Sequence, residues 1–378
     1  MNTTASTSEL YAWVRLSLEP NLNSTVARLL LANFGLPHQV YEQSVGTLSR
    51  YVSTQLAAQL HARPSDDIEQ RIQQALAWAQ SPNQHILCLA DSQYPSALFN
   101  LHDPPLILYA KGHLDQLNYQ ALAMVGARSS TTTGNENAYH FSRFLVSQGW
   151  TIISGLASGI DTAAHQGALA AQRPNSTIAV LGTGMDLVYP ARNRDLAHQI
   201  AAQGLLISEY PLGTRGLPHH FLQRNRLVAA LSRGVLVVEA ALKSGSLTTA
   251  RLASEIGRDV FAIPGSIHSP LHKGCHQLIR NGAKLVESAE HILEELGHNL
   301  PLPFDHSVPA SVKPSPPIPD QLDPMLLQVL TVISYDGMSP DQIQNQCGLS
   351  TAQVGAALVQ LELLNLITQQ QDGRYLRT

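Results

Sequence analysis

From about residue 105 onward, short apolar runs alternate with segments whose apolar residues recur at helical spacing. The apolar runs have the length of buried strands, and each intervening segment is long enough for a helix. Strands separated by helices indicate βαβ units, which build a parallel sheet through right-handed crossovers. The pattern therefore predicts an α/β fold with a Rossmann-like parallel sheet. The predicted strands lie in PLILYAKG, ALAMVGARSS, TIISG, STIAVLG, GLLISEYP, GVLVVEA and DVFAIPGS.

The N-terminal flank has a different pattern. Residues 8–80 show the spacing of short helices, with Gly35 at a helix end just before Pro37. The segment LNSTVARLLLANFGLPHQVYEQS resembles half of a helix-hairpin-helix (HhH) or SAM-like module. Such modules either bind the DNA backbone or only pack, and the scarcity of basic residues here favours packing or protein contact.

The C-terminal flank begins with a proline-rich stretch, which predicts a stiff, extended linker. Three helical segments follow, the second starting at Ser339-Pro340, and then a hairpin that turns at Asp372-Gly373. Three helices and a β-wing predict a winged-helix domain. The predicted domains are a helical SAM/HhH-like domain at 1–85, a Rossmann-like core at 86–297, a linker at 298–320 and a winged helix at 321–378.

Composition restricts the class of protein. The N-terminus lacks a basic segment followed by an apolar one, and no stretch has the length and hydropathy of a membrane span. The three cysteines are far apart and form no CxxC pair, which excludes a disulfide framework and suits a reducing cytoplasm. Residues 121–290 carry 15 Lys and Arg against 10 Asp and Glu, whereas 291–378 carry 3 against 9. A basic middle part fits a polyanionic partner, although solvated helix faces explain the charge equally well.

In the segment 220–265, polar residues and glycines directly follow two of the predicted strands. The carboxyl ends of parallel strands are where open α/β sheets bind ligands. The turn of Ser244, Gly245 and Ser246 opens a predicted helix, and helix N-termini receive anions or are simply capped by such hydroxyls. Three arginines complete a predicted phosphate-binding rim: Arg224, Arg226 and Arg233.

Two earlier blocks follow strands in the same way. In VGARSS, Arg128 and two hydroxyls are placed where a ligand phosphate can lie, the alternative being a capped helix with a solvent-facing arginine. In SGLASGIDTAAHQGAL, Asp161 and His165 share a helix face, but no Ser or Cys nucleophile accompanies them. We expect Asp161 to bond the histidine or the backbone rather than to act in catalysis.

The block GTGMDLVYPARN lacks the third glycine of a dinucleotide fingerprint, and the chain has no phosphate-binding P-loop. Tyr189 offers a stacking ring, and Arg192, Asn193 and Arg194 offer phosphate contacts, unless the block is only a turn fixed by Pro190. The sixteen histidines show no HExxH pattern and no clustered carboxylates, so we expect no metal site and no cofactor.

Taken in order, these blocks resemble the DNA-processing protein A (DprA/Smf) family of bacterial recombination mediators. The resemblance is dense over residues 105–290 and looser in the flanks. It implies a non-catalytic protein that binds single-stranded DNA during natural transformation, forms a homodimer through the Rossmann-like core, and helps load RecA recombinase onto the strand. The matching blocks are VGARSS, SGLASGIDTAAHQGAL, AVLGTGMDLVYPARN, SEYPLG, FLQRNRLVAALS, VVEAALKSGSLTTARLASEIGRDVFAIPG and GCHQLIRNGA.

Some family members have a lysine three residues before the phenylalanine of the F-x-x-R-N-R block, where this chain has Pro218, and many have proline where it has Leu222. Arg215 or His219 is the expected substitute for the lysine. The predicted DNA-binding residues are Arg128, Arg192, Asn193, Arg215, Phe221, Arg224, Asn225, Arg226, Ser244, Gly245 and Ser246.

Two other classes of function are weaker. Nucleotide phosphoribohydrolases of the lysine-decarboxylase-like group carry PGGxGTxxE, where this chain reads KSGSLTTA. A transcription regulator needs a cationic recognition helix, but STAQVGAALVQLELLNLI contains no Lys or Arg. We therefore expect the winged helix to contact protein or its own core, not duplex DNA.

Overall fold

The computed structural model describes residues 7–297, 323–333, 338–364, 366–369 and 375–377. The chain divides into two units, Met1–Leu300 and Pro301–Thr378. The predicted linker at 298–320 and the predicted turn at Asp372-Gly373 lie outside the described residues. The predicted boundary within the first unit, between a helical domain ending at residue 85 and a core beginning at residue 86, stays a prediction.

The N-terminal part is helical, as its periodicity predicts. Gly35 ends the second helix with φ +91° and donates its N–H to Leu31 O. Trp13, Val14 and Leu16 share an apolar cluster with strand residues of the sheet, so these helices pack on the core. The helices are α1 (Thr7–Leu18), α2 (Ser24–Phe34), α3 (Pro37–Tyr41), α4 (Val45–Leu48), α5 (Thr54–His61) and α6 (Asp66–Ala79).

A nine-stranded sheet forms the centre of the first unit, in the order β1-β2-β6-β5-β4-β3-β7-β8-β9. The strands are β1 (Gln84–Cys88), β2 (Ile107–Gly112), β3 (Ala121–Val125), β4 (Thr151–Ser154), β5 (Thr177–Val180), β6 (Leu205–Ser208), β7 (Gly234–Val237), β8 (Asp259–Ala262) and β9 (Lys284–Leu285). The helices between them are α7 (Thr132–Ser147), α8 (Ile160–Ala170), α9 (Arg194–Gln203), α10 (Pro218–Ala230), α11 (Gly245–Glu255), α12 (Lys273–Arg280) and α13 (Ala289–Gly297).

The predicted parallel sheet is confirmed for β3 to β8, and one edge needs correction. β2 pairs antiparallel with β6, and β1 pairs antiparallel with β2. β1 and β9 were not among the predicted strands. The observed sheet is therefore mostly parallel, with an antiparallel pair along the edge that the N-terminal helices cover.

Alternate residues of each central strand enter different apolar clusters on the two faces of the sheet. Ala121, Ala123 and Val125 pack with residues of α10, α11 and α12, whereas Leu122 and Met124 pack with α7, α8 and α13. From β3 the chain first runs outward through β4, β5 and β6, and β7 then returns to the other side of β3. Ligands of doubly wound sheets bind at the carboxyl ends of the strands where the order reverses, here β3 and β7.

The second unit agrees with the predicted winged helix. Its described part consists of α14 (Pro324–Val332), α15 (Pro340–Cys347), α16 (Thr351–Leu363) and an antiparallel pair of β10 (Ile367–Gln369) with β11 (Tyr375–Arg377). Ser339 caps α15, as predicted. The helices and the β-pair share one apolar cluster, which includes Val329, Ile343 and Leu361.

None of the helices in the described ranges combines the length and the apolar character needed to cross a bilayer.

Candidate functional site

A cleft of about 450 Å³ opens at the carboxyl end of the parallel sheet, beside the point where the strand order reverses. It lies between the loops that follow β3 and β4 and the N-terminal turns of α10 and α11. Its lining residues are Val125, Gly126, Arg128, Ala157, Asp161, Pro218, Phe221, Leu222, Arg224, Asn225, Ser244, Gly245, Ser246 and Thr249.

Phe221 and Arg128 form the aromatic and cationic part of this cleft. Two glycines hold the ring closely: a Cβ atom at Gly182 would lie 2.7 Å from Phe221 Cδ1, and one at Gly216 would lie 2.9 Å from Cζ. The Arg128 guanidinium carbon lies 5.6 Å from the ring centroid, within cation–π range. Arg128 is exposed, and among the described residues it has no acidic group within 4.0 Å. Its charge is therefore available to a ligand.

Arg224 reaches the floor of the cleft and is only 4% exposed. One Nη1–H donates to Val180 O. Burial lowers the pKa of Arg224 to about 10, and the charge of Asp161 opposes that shift. Because the guanidinium is enclosed, it contributes a buried positive charge beneath the cleft and does not offer an exposed hydrogen-bond donor to a phosphate.

Asp161 is buried beside Arg224 and accepts hydrogen bonds from Gly155 N and Ala157 N, both at 3.2 Å. Burial raises the pKa of this carboxyl, and the positive charge of Arg224 lowers it again. The expected backbone bonding of Asp161 is confirmed. The carboxylate fixes the loop after β4 at the opening of α8.

His165 lies one turn further along α8 and is fully buried. Its Nδ1 is 2.8 Å from Thr177 Oγ1, and that hydroxyl itself donates to Ile152 O. The histidine is therefore the donor to Thr177, and Nδ1 carries the proton. Burial, together with the charge of Arg224, lowers the pKa of His165 to about 3. A neutral, enclosed imidazole of this kind supports the fold.

The polar wall of the cleft is the first turn of α11. Ser244 is its N-cap and accepts from Ser246 N, and the two hydroxyl oxygens are 2.6 Å apart. Asn225 Nδ2 donates to Gly245 O at 3.4 Å, which ties α10 to this turn. Ser244 thus caps α11, and the same helix N-terminus faces the cleft. The positive end of the helix dipole there favours an anion.

A second pocket of about 240 Å³ adjoins the cleft and shares Arg128, Ala157 and Phe221 with it. Tyr189 and Arg192 provide its other large side chains. The rings of Tyr189 and Phe221 are 5.1 Å apart at an angle of 40°. Arg192 is exposed, as expected for a residue that contacts a ligand.

Five of the other predicted phosphate contacts do not line either pocket: Asn193, Arg194, Arg215, Arg226 and Arg233. Asn193 is buried, and its Nδ2 donates to Leu156 O and Thr162 Oγ1, so it positions a loop. Arg226 is ion-paired with Glu209 and lies 3.4 Å from Asp103. Arg215 is exposed outside the two pockets.

Arg233 needs a clearer correction. It directly precedes β7, and its N–H donates to Ala121 O at the start of β3. It therefore lies at the amino end of the sheet, opposite the cleft. Arg233 therefore does not belong to the phosphate-binding rim that the sequence predicts.

The cleft also contains residues that the sequence prediction did not include. Thr249 lies one helical turn after Ser246. Residues at this spacing share a helix face, so the sequence could have predicted that Thr249 also lines the cleft. Pro218 and Leu222 line the cleft, whereas Arg215 and His219 do not. Glu239 follows β7 and is buried outside the lining of the cleft; it accepts from Thr131 N at 2.9 Å, so it holds the N-cap residue of α7.

The chain matches two family models. Residues 85–297 match the model described as DNA recombination-mediator protein A, and residues 313–373 match the DprA winged helix domain. Among curated proteins, Protein Smf of Escherichia coli is 40% identical over 305 residues, which are 80% of each chain. DNA processing protein DprA of Streptococcus pneumoniae is 47% identical over 207 residues, or 55% of this chain and 72% of that protein.

Two solved structures are also similar. The X-ray structure of DNA processing protein A from Streptococcus pneumoniae has a TM-score of 0.62 and 36% identity, covering 77% of this chain and 99% of the other. The structure of DNA processing protein A from Helicobacter pylori, described by its single-stranded DNA binding mode, has a TM-score of 0.52 and 31% identity. That match covers 57% of this chain and 98% of the other.

Proposed function

Because the chain belongs to the DNA recombination-mediator protein A family, we propose that it binds single-stranded DNA in the cleft at the carboxyl end of the sheet. The observation that carries the proposal is the pairing of Arg128 with Phe221: an exposed cation lies over an aromatic ring inside a concave site. Single-strand binding proteins combine these two elements, since cations hold the backbone and rings stack bases. The Helicobacter pylori relative, described by its single-stranded DNA binding, supports the same ligand.

A single strand fits this site better than a duplex. The Phe221 ring is held between Gly182 and Gly216 at the cleft, so a base must leave a double helix to stack on it. The winged-helix unit offers no alternative duplex site on α16, whose sequence has no Lys or Arg.

The phosphates would meet three kinds of donor in the cleft: Arg128, the first turn of α11 with Ser244, Gly245 and Ser246, and the amide of Asn225. Arg224 would act from below, through its buried charge. This arrangement binds the backbone without reading bases, which suits a protein that accepts strands of any sequence.

We further propose that the protein acts on DNA taken up in natural transformation, that it is non-catalytic, and that it helps load RecA recombinase onto the bound strand as a homodimer joined through the Rossmann-like core. The names of the relatives, DNA processing protein and recombination-mediator protein, support this role. The three cysteines are free and buried, which suits a reducing cytoplasm. Asp161, the acid at the cleft, is engaged by backbone amides, which supports a binding role rather than catalysis.

The test is fluorescence anisotropy of labelled oligo-dT and of duplex DNA with the full chain. We expect the single strand to bind more tightly, and log Kd to depend on log salt because phosphate contacts release counterions. Arg128→Ala should weaken oligo-dT binding and reduce the salt slope by about 0.7, the value for one single-strand phosphate contact. Arg173→Ala is the matched control, since Arg173 is exposed and precedes β5, at the amino end of the strands and opposite the cleft.

A preference for duplex, or equal effects of Arg128→Ala and Arg173→Ala, would contradict the proposed site. RecA loading is tested separately, by the single-strand-dependent ATPase rate of RecA with and without the protein. An unchanged rate would remove RecA loading from the proposal and leave strand binding intact.

A further inference from the structure

The aromatic rings of Tyr189 and Phe221 lie next to each other where the cleft and the second pocket adjoin. Phe221 lines both cavities, whereas Tyr189 lines only the second. We propose that the second pocket is a separate nucleotide subsite: one base stacks on Phe221 in the cleft, the neighbouring base stacks on Tyr189, and Arg128 holds the phosphate between them. The inference rests on the proposed function and assigns a two-nucleotide step of single-stranded DNA to this surface.

The ring geometry rules out one base shared between the two side chains. The ring centroids are 5.1 Å apart and the planes are inclined by 40°. A base inserted between them would need a separation of roughly 7 Å, because stacked carbon atoms lie about 3.5 Å from each other. The rings already contact one another, so each one can offer only its other surface. Tyr189 is 50% exposed, which leaves such a surface open.

The position of Arg128 fits a phosphate between two bases. It is the charged residue common to both cavities, and its guanidinium lies over the Phe221 ring. Arg192 supplies a second exposed cation in the second pocket, and no acidic group of the described residues is within 4.0 Å of it. Consecutive bases of one strand are joined by one phosphate, so two stacking surfaces in adjoining cavities that share one arginine match a two-nucleotide step.

The experiment compares four variants of the full chain by oligo-dT anisotropy over a range of salt. Tyr189→Ala removes the ring, Tyr189→Leu removes it but keeps apolar packing against Phe221, and Tyr189→Phe keeps the ring. Leu187→Ala is the matched control, because Leu187 is an exposed apolar residue two positions away that lines neither pocket. Thermal melting of each variant establishes that it is folded.

We expect Tyr189→Ala and Tyr189→Leu to raise the Kd for oligo-dT by about tenfold, within the range measured for loss of one stacked base. The salt slope should not change, because no phosphate contact is lost. Tyr189→Phe and Leu187→Ala should bind as the wild type does.

Wild-type affinity in Tyr189→Leu would overturn the subsite, because Tyr189 would then act only by packing against Phe221. A salt slope reduced by a whole phosphate contact in Tyr189→Ala would also overturn it, because the residue would then position an arginine. Failure of the wild type to bind oligo-dT is a different result, which refutes the proposed function itself.

Discussion

The guanidinium group of Arg224 lies against the backbone of Gly155, so closely that a Cβ atom at residue 155 would be 1.9 Å from Nη1. The glycine is therefore required by a neighbouring side chain beneath the cleft and not by an unusual backbone angle. Gly159, four residues later, is different: it has φ +74°, and a Cβ there would lie 2.3 Å from Ala127 O. Gly155 therefore leaves room for the enclosed arginine, and Gly159 allows the tight turn that begins α8.

Gly155→Ala should displace Arg224 and destabilise the protein. Overpacking of a close contact typically costs about 1–3 kcal/mol, and the displaced guanidinium also loses its bond to Val180 O. Urea unfolding measures the loss. Gly46→Ala is the control, since its Cβ would meet only Ser44 Oγ, at 3.9 Å. Equal stability of the two variants would show that the contact with Arg224 adjusts freely.

Arg224→Ala should destabilise the protein by about 1–3 kcal/mol at neutral pH, because Val180 O loses its buried donor and Asp161 loses the nearby positive charge. Arg224 lowers the pKa of Asp161, so its removal lets burial raise that pKa further. The loss relative to the wild type should therefore shrink as the pH falls and Asp161 is protonated. Adding Asp161→Asn should recover part of the loss at pH 7. A double variant no more stable than Arg224→Ala would contradict this coupling.

His165 should make the stability of the protein depend on pH in the acid range. Its pKa is lowered to about 3 from an ordinary value of 6.5. The unfolded chain therefore takes up this proton first, so the stabilisation is complete above pH 6.5 and is lost as the pH falls towards about 3. The expected slope is about 1.4 kcal/mol per pH unit.

His165→Asn is the variant that tests this, because Asn keeps a donor for Thr177 and does not titrate. Unfolding free energies at several pH values between 4 and 7 should show a shallower slope in the variant than in the wild type. Parallel curves would mean that His165 does not carry the acid sensitivity.

Arg226→Ala should affect folding rather than DNA binding. Arg226 is paired with the buried carboxylate of Glu209, whose pKa is raised by burial and lowered by Arg226. Removing the arginine leaves that charge unpaired, at a cost of about 3 kcal/mol. The salt slope of oligo-dT binding should stay that of the wild type, unlike the slope of Arg128→Ala. A slope reduced by about 0.7 would restore Arg226 to the phosphate-binding set.

Removal of the second unit should leave the affinity for a single strand unchanged. The winged-helix residues have their own apolar cluster, and both pockets are lined by residues of the first unit alone. A chain ending at residue 297 should bind oligo-dT within twofold of the full chain in the anisotropy assay. A large loss on truncation would place part of the DNA site in the second unit.

The sequence alone determined the fold class, the winged helix and the family. These depend on local information: the length and spacing of apolar runs, helix caps such as Ser339, and the order of the sequence blocks that match the family. It also predicted that Arg128 and the turn at Ser244 lie near each other, because each follows a parallel strand and the carboxyl ends of such strands meet at one end of the sheet. Phe221 and Asn225 were predicted through the resemblance to the family. Local patterns do not distinguish parallel from antiparallel pairing, so the orientation of β2 was missed.

The tertiary structure decided what each arginine does. Arg224 and Arg226 are two positions apart on α10, and residues at that spacing point to nearly opposite sides of a helix. In the sequence they are two equal charges, but in the fold one lies enclosed beneath the cleft and the other is paired with Glu209. Burial and ion pairing depend on neighbours far away in the chain, and these neighbours determine whether a charge is available to a ligand or is used to hold the fold.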